Sequence, residues 1–143
     1  MNTLKIAIQK SGRLHDESIQ ILRDCGISIY NGNDQLKVNA SNFPLEVYYL
    51  RNSDIPQYLI DGVVDIAIVG DNLLVEKGQN IEIAEKLGFS KCKVSVAVPK
   101  NFNYNSVNDL NGLRVATSYP KTVVDYFSSK GISVDIHQIS GSV

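Results

Sequence analysis

Tryptophan is absent from the 143 residues, methionine occurs once, at position 1, and there are only two cysteines and four prolines. Cys25 and Cys92 lie far apart and have no metal-ligand spacing, which argues against a disulfide-stapled scaffold and a cysteine-rich zinc site. Set in apolar patterns, both are expected to be buried, reduced thiols. Charge of one sign is lacking too. Fourteen Lys plus Arg against fifteen Asp plus Glu give a formal charge of -1, so no overall basic field draws the chain to nucleic acid or an anionic membrane. Any positive site has to be local. No apolar run approaches the ~20 residues that span a bilayer, and "MNTLKIAIQK" lacks the apolar core and cleavage pattern of an export signal. A cytoplasmic protein is expected.

What the chain does have is 43% hydrophobic residues, enough for one core and the start of a second lobe. Strand patterns alternate with helical ones. Leu4 to Ile8 is a nearly continuous apolar run, as in a parallel strand covered on both faces. Leu14, Ser18, Ile21, Leu22 and Cys25 then recur on one helical face, with Gly26 as a stop. "ISIYNGNDQLKVNA" reads as a hairpin around Asn31 to Asp34. A strand is expected at Leu45 to Leu50, then a short helix from about Ile55, capped by Ser53 or Asp54. "VVDIAIVGDNLLVEKG" predicts a strand, a turn at Gly70 to Asn72 and a helix closed at Gly78. Further strands are expected at Ile81 to Leu87 and Lys93 to Val98.

Beyond Pro99 the composition turns rich in asparagine, and the reading places a lobe boundary between Pro99 and Tyr104. One short helix, a strand at Leu113 to Thr117, a helix with Val123, Val124 and Phe127 on its apolar face, and the strand "ISVDIHQI" complete the pattern. There is no internal repeat. In open α/β sheets ligands lie beyond the carboxyl ends of the strands, where helix N-termini present unpaired N–H groups. The chemically interesting loops all fall there: Gln9 to Arg13, Arg51 to Asp54, Gly70 to Asn72, Thr117 to Pro120 and Ser140 to Val143.

In "QKSGRL" a Lys, a Ser, a Gly that permits close backbone approach, and an Arg could cradle a phosphate. Equally, Lys10 and Arg13 could be solvated and Ser11 a helix cap, because the loop is no complete phosphate-binding motif. Arg51 could meet a polyphosphate or pair with Asp54 on the surface, a bond worth little. Gly70-Asp71-Asn72 could touch a ribose hydroxyl or Mg²⁺, or only cap a helix. Asp65, inside an apolar strand, reads as a buried, hydrogen-bonded structural carboxylate. His15 and His137 have no catalytic partner pattern. No nucleophile motif is present.

The segments "LKIAIQKSGRL", "LRNSDIP", "DGVVDIAIVGDNLL", "KCKVSVAVP", "NGLRVATSYP" and "SGSV" follow one another as in ATP phosphoribosyltransferases. The likeness to this family, the first enzymes of histidine biosynthesis, runs from residue 3 to the last residue, and "QKSGRL" and "ATSYP" most resemble its long, self-regulated form. It implies an α/β, two-lobed fold like type II periplasmic binding proteins, with a cleft between the lobes. Residues 1–99 would be a nearly complete first lobe and 100–143 the beginning of a truncated second. It further implies a pentosyltransferase that moves phosphoribosyl from phosphoribosyl pyrophosphate to N1 of the adenine of ATP, with pyrophosphate leaving. Such a reaction needs no protein nucleophile, and positioning and electrostatics would dominate.

By that resemblance Lys10 and Arg51 carry the chemistry, and Ser11, Gly12, Arg13, Gly70, Asp71, Asn72, Ser118, Tyr119 and Pro120 bind substrate. Mg²⁺ arrives on the substrate, and no metal is held by the protein itself. Implied for the full-length enzyme are histidine as feedback inhibitor and assembly into homodimers and hexamers. In the family, "SGSV" is followed by an acidic residue, then a Gly-Leu-Ala-Asp segment leading to a Ser-Thr-Gly-rich loop that cradles the ribose 5-phosphate and pyrophosphate. This chain stops at Val143, so the 143 residues alone are expected to be inactive. The alternative from another class is a non-catalytic solute-binding or effector-sensing module of the same fold.

Overall fold

The structure, a computed structural model, describes residues 2–30, 35–78 and 80–140. It divides into two compact units, residues 1–92 and 93–143. In the first, β1 (Leu4–Gln9) leads to α1 (Arg13–Asp24), then β2 (Lys37–Asn39), β3 (Leu45–Leu50), α2 (Ile55–Ile60), β4 (Ile66–Ala67) and α3 (Asp71–Lys77). The sheet order is β2-β3-β1-β4. Both β3 and β4 run parallel to β1, and β2 runs antiparallel to β3. The architecture is mixed α/β. The turn expected at Asn31 to Asp34 lies outside the described residues, although Ile29 does bridge Ala40 in antiparallel fashion.

The apolar run Ile6 to Ile8 of β1 has a direct cause. Ile6 and Ile8 face a cluster containing Ile19 and Leu22 of α1 with Val47 and Tyr49 of β3, while Ala7 faces the opposite side, with Ile55 and Val64. A strand covered on both faces has no position for a polar residue. The buried stripe of α1 is Ser18, Ile19 and Leu22, rotated from the expected one, and the Ser18 hydroxyl is satisfied by the Leu14 carbonyl at 2.5 Å. Cys25 follows the last helical residue, where the chain turns away. Contrary to expectation both Cys25 and Cys92 are exposed, though both are free thiols.

Three helices share one ending. Beyond α1 the Gly26 and Ile27 N–H groups donate to the Arg23 and Leu22 carbonyls at 2.8 and 3.0 Å, with Gly26 at φ 77°. Gly62 and Val63 close α2 by the same two bonds, to Leu59 and Tyr58. Gly131 and Ile132 close a later helix likewise. A left-handed glycine followed by an apolar residue satisfies the last carbonyls and tucks that residue under the helix. A Cβ on Gly131 would meet nothing within 4 Å, so its substitution isolates backbone strain. Gly131→Ala is expected to cost about 1–2 kcal/mol in urea unfolding, with Gly131→Asn costing less because asparagine visits this region more readily.

The second unit holds a 3₁₀ turn (Val107–Leu110), β5 (Arg114–Thr117), α4 (Pro120–Ser129) and β6 (Asp135–Gln138). β5 and β6 pair in parallel. Leu110, Phe127 and Ile132 form the core, with Val115 and Val123 packed against it. On the expected apolar face of α4, Phe127 is 1% and Val124 is 46% exposed, so Val124 stands off the core. The Asn105 and Ser106 N–H groups donate to the Asp109 carboxylate at 2.8 and 2.9 Å. These bonds, the one from Ser106 first, hold its carboxyl below the usual range.

Two expected strands do not form. Residues 81–87 and 93–98 carry no ladder pairing, and Ile83, Leu87, Val94, Val96 and Val98 are exposed. Alternation shows which face a segment could bury, but no described strand lies beside either one to pair with it. β4 is also shorter than its apolar run. Asp65 immediately precedes it and is exposed rather than buried. Its carboxylate does have the expected structural role, accepting the Lys5 N–H at 2.8 Å and pinning β4 to β1.

Candidate functional site

Parallel pairing sets the site in the first unit. The last pair in the β1–β3 register is Gln9 with Leu50, so Lys10 and Arg51 leave the sheet together. The Lys10 N–H donates to the Leu50 carbonyl at 2.8 Å, which locks the two chain exits side by side. On the other flank of β1 the Ile68 N–H donates to the Ala7 carbonyl at 3.0 Å, which brings Gly70 to Asn72 to the same edge. Thus Lys10 to Arg13, Arg51 to Asp54 and Gly70 to Asn72 all stand at the carboxyl ends of β1, β3 and β4.

The local geometry departs from the simpler readings of these residues. Ser11 is not the cap of α1. That position belongs to Gly12, at φ 91°, with no side-chain cap, so first-turn N–H groups of α1 face outward without an internal acceptor. The surface pair of Arg51 with Asp54 is not formed; among the described residues no ion pair holds Lys10, Arg13 or Arg51. All three are exposed. Asp54 instead lies near the Ser53 hydroxyl at 3.2 Å. Gly70 caps α3 through backbone only, and Asp71 makes a loose 3.8 Å pair with Lys86.

His15, to which the sequence assigned no role, buttresses the loop. Its Nδ1 is 2.9 Å from the Gln9 carbonyl oxygen. Because that oxygen can only accept, the ring proton belongs on Nδ1. The ring also packs against Tyr49 at 5.6 Å between centroids. A hollow of about 300 Å³, lined by Ser53, Asp54, Pro56, Gln57, Tyr58 and Lys77, lies beside the Arg51 turn. A wider one of about 470 Å³ is lined by Arg23, Ile27, Tyr30 and Ser41 instead. Neither is lined by Lys10 or Arg13.

Elsewhere in the first unit, the Tyr48 hydroxyl donates to Glu46 at 2.5 Å and Lys37 lies 3.4 Å from the same carboxylate. The Tyr48 bond holds the Glu46 carboxyl below its usual range and the Tyr48 phenol above its own. These residues lie along the antiparallel β2–β3 pairing. In the second unit, Ser118, Tyr119 and Pro120 follow β5 and open α4, again at a strand's carboxyl end. The Thr117 hydroxyl oxygen accepts the Tyr119 N–H at 2.9 Å and fixes that turn. His137 pairs with Asp135 at 3.1 Å on the surface. Among the described residues no three His, Cys, Asp or Glu side chains converge as metal ligands.

The family model described as ATP phosphoribosyltransferase matches residues 51–143. The chain belongs to the ATP phosphoribosyltransferase family. An ATP phosphoribosyltransferase of Cytophaga hutchinsonii is 51% identical over 140 residues, covering 98% of this chain and 49% of its own length. That of Parabacteroides distasonis is 46% identical, with 98% and 50% covered. The chain therefore spans about half the length of these relatives. In fold it resembles a solved ATP phosphoribosyl transferase (HisG:HisZ) complex from Thermotoga maritima, with a TM-score of 0.65 and 24% identity over 98% of this chain and 66% of that one. No helix among the described residues is long and apolar enough to cross a membrane.

Proposed function

We propose that the chain is the N-terminal part of an ATP phosphoribosyltransferase and supplies the phosphate-gripping edge of its site. The observation that carries this reading is the arrival of Lys10 and Arg51 at one sheet edge, tied by the Lys10 to Leu50 bond, with no carboxylate among the described residues paired to either cation. Lys10 acts as a point charge, while Arg13 and Arg51 act as forks on phosphate oxygens. Gly12 lets the backbone of the α1 start approach an anion closely. Gly70, Asp71 and Asn72 contact the sugar from the neighbouring strand end. Ser118, Tyr119 and Pro120, where β5 leads into α4 in the second unit, also bind substrate.

In the transfer, adenine N1 of ATP attacks the anomeric carbon of phosphoribosyl pyrophosphate as the bond to pyrophosphate breaks. Mg²⁺ is part of that substrate, bound to its phosphates. The cations stabilise the negative charge that grows on the leaving oxygens, and no protein atom becomes covalently attached. In this reading the lobes resemble type II periplasmic binding proteins, residues 1–99 form the first and 100–143 begin the second. The complete protein is cytoplasmic, assembles as a homo-oligomer or with a partner chain, and is inhibited by histidine.

The test is a chimera joining residues 1–143 to the remaining half of the Cytophaga hutchinsonii relative. Phosphoribosyl-ATP formation, followed by its absorbance, is expected from the chimera and not from the 143 residues alone. Turnover by residues 1–143 alone would refute the division of the site. Pyrophosphate binding by a chimera that is folded but never active would support a non-catalytic binding module instead.

A further inference from the structure

Among the described residues one buried side-chain polar atom has no hydrogen-bond partner, the amide oxygen Oδ1 of Asn52. It sits in the 3₁₀ turn Asn52–Asp54, directly after Arg51 and before Pro56 of α2. The turn itself is regular, closed by the Asp54 N–H donating to the Arg51 carbonyl at 2.9 Å. The turn thus has its closing backbone bond, while Asn52 Oδ1 has no partner among the described residues. A buried acceptor without a donor is a standing penalty on the conformation that contains it. Such a penalty raises that conformation relative to any other in which the oxygen finds an N–H or O–H group. A ligand that favours the second arrangement then gains affinity from the difference.

We infer that Asn52 is a positioning residue of the anion site: when Arg51 engages a pyrophosphate, the Arg51–Asp54 turn shifts and Asn52 Oδ1 acquires a donor it lacks in the unliganded turn. This rests on the reading of Arg51 as an anion-binding residue. The Asn52 oxygen is closed to solvent and so does not meet the ligand directly in this conformation. It biases the turn that carries Arg51 toward the binding arrangement.

The decisive variant is Asn52→Leu, which keeps the approximate shape of the side chain and removes the acceptor. An asparagine that serves only the fold would lose stability on this change, with binding falling in parallel. An unmet acceptor behaves oppositely, because an apolar group of the same shape is neutral or stabilising in its place. The 143-residue chain is titrated with inorganic pyrophosphate and Mg²⁺ by calorimetry, and unfolded in urea. For Asn52→Leu the urea midpoint is expected to stay level or rise while the pyrophosphate Kd rises about tenfold. Unchanged Kd, or a Kd and midpoint that worsen together, overturns the role of Asn52 and leaves the Arg51 site standing. Absence of pyrophosphate binding by the unaltered chain overturns the anion site, and the role of Asn52 with it.

Discussion

Arg51→Ala in the chimera is expected to lower kcat by about two to three orders of magnitude, the size of effect seen when one pre-aimed donor to developing negative charge is removed. The geometry leads to that expectation. Arg51 follows the last paired residue of a strand at the centre of the sheet, so its main chain is fixed. Its side chain is exposed and bound to no carboxylate among the described residues, so its charge is not already neutralised. Removing an exposed side chain of this kind changes stability little, within about 0.5 kcal/mol, and thermal melting should show that. A fall in kcat and kcat/KM together places Arg51 on the departing pyrophosphate. A rise in KM alone would mean it grips ground state and transition state equally. Unchanged kinetics would remove it from the site.

The second large effect concerns the fold. Phe127→Ala is expected to destabilise the second unit by about 3–5 kcal/mol. Phe127 is 1% exposed and is the largest member of a cluster whose other buried residues are Leu110 and Ile132. It also donates structure at its own helix end, since the Ile132 N–H bonds to its carbonyl at 2.9 Å. A unit covering only residues 93–143 has a small core and little stability to spare. Hydrogen exchange should show the amides of β5 and β6 losing protection. Retained protection would mean the aromatic ring is not what holds this pair of strands.

Much of this was legible because it depended on local chemistry. The apolar run of β1, the alternation of β3 and the glycines at 26 and 78 each state their structure within a few residues, and Leu45–Leu50 forms as its pattern predicts. The position of the loops at strand ends was legible for the same reason, since strand followed by helix puts the junction at the carboxyl edge of the sheet. Failures came where the outcome depended on distant atoms. Segments 81–87 and 93–98 have the period of strands, but period cannot supply a neighbour. Cys25 lies on the extrapolated stripe of α1, and only the exact end of the helix reveals that it points outward. Asn52 is given no role by the sequence pattern. Nothing in its type or spacing signals that its oxygen is buried and unmet, because that is a property of the packed turn.

The flush finish of β1 against β3 has one more implication. Residues 10 and 51 both lie just past the final strand pair and both are exposed, so no interior atom depends on what side chain stands there. Neighbouring strands are about 4.8 Å apart, and that spacing alone keeps the two positions close. The scaffold is thus a neutral carrier whose chemical preference can be rewritten at its rim while its interior is left untouched.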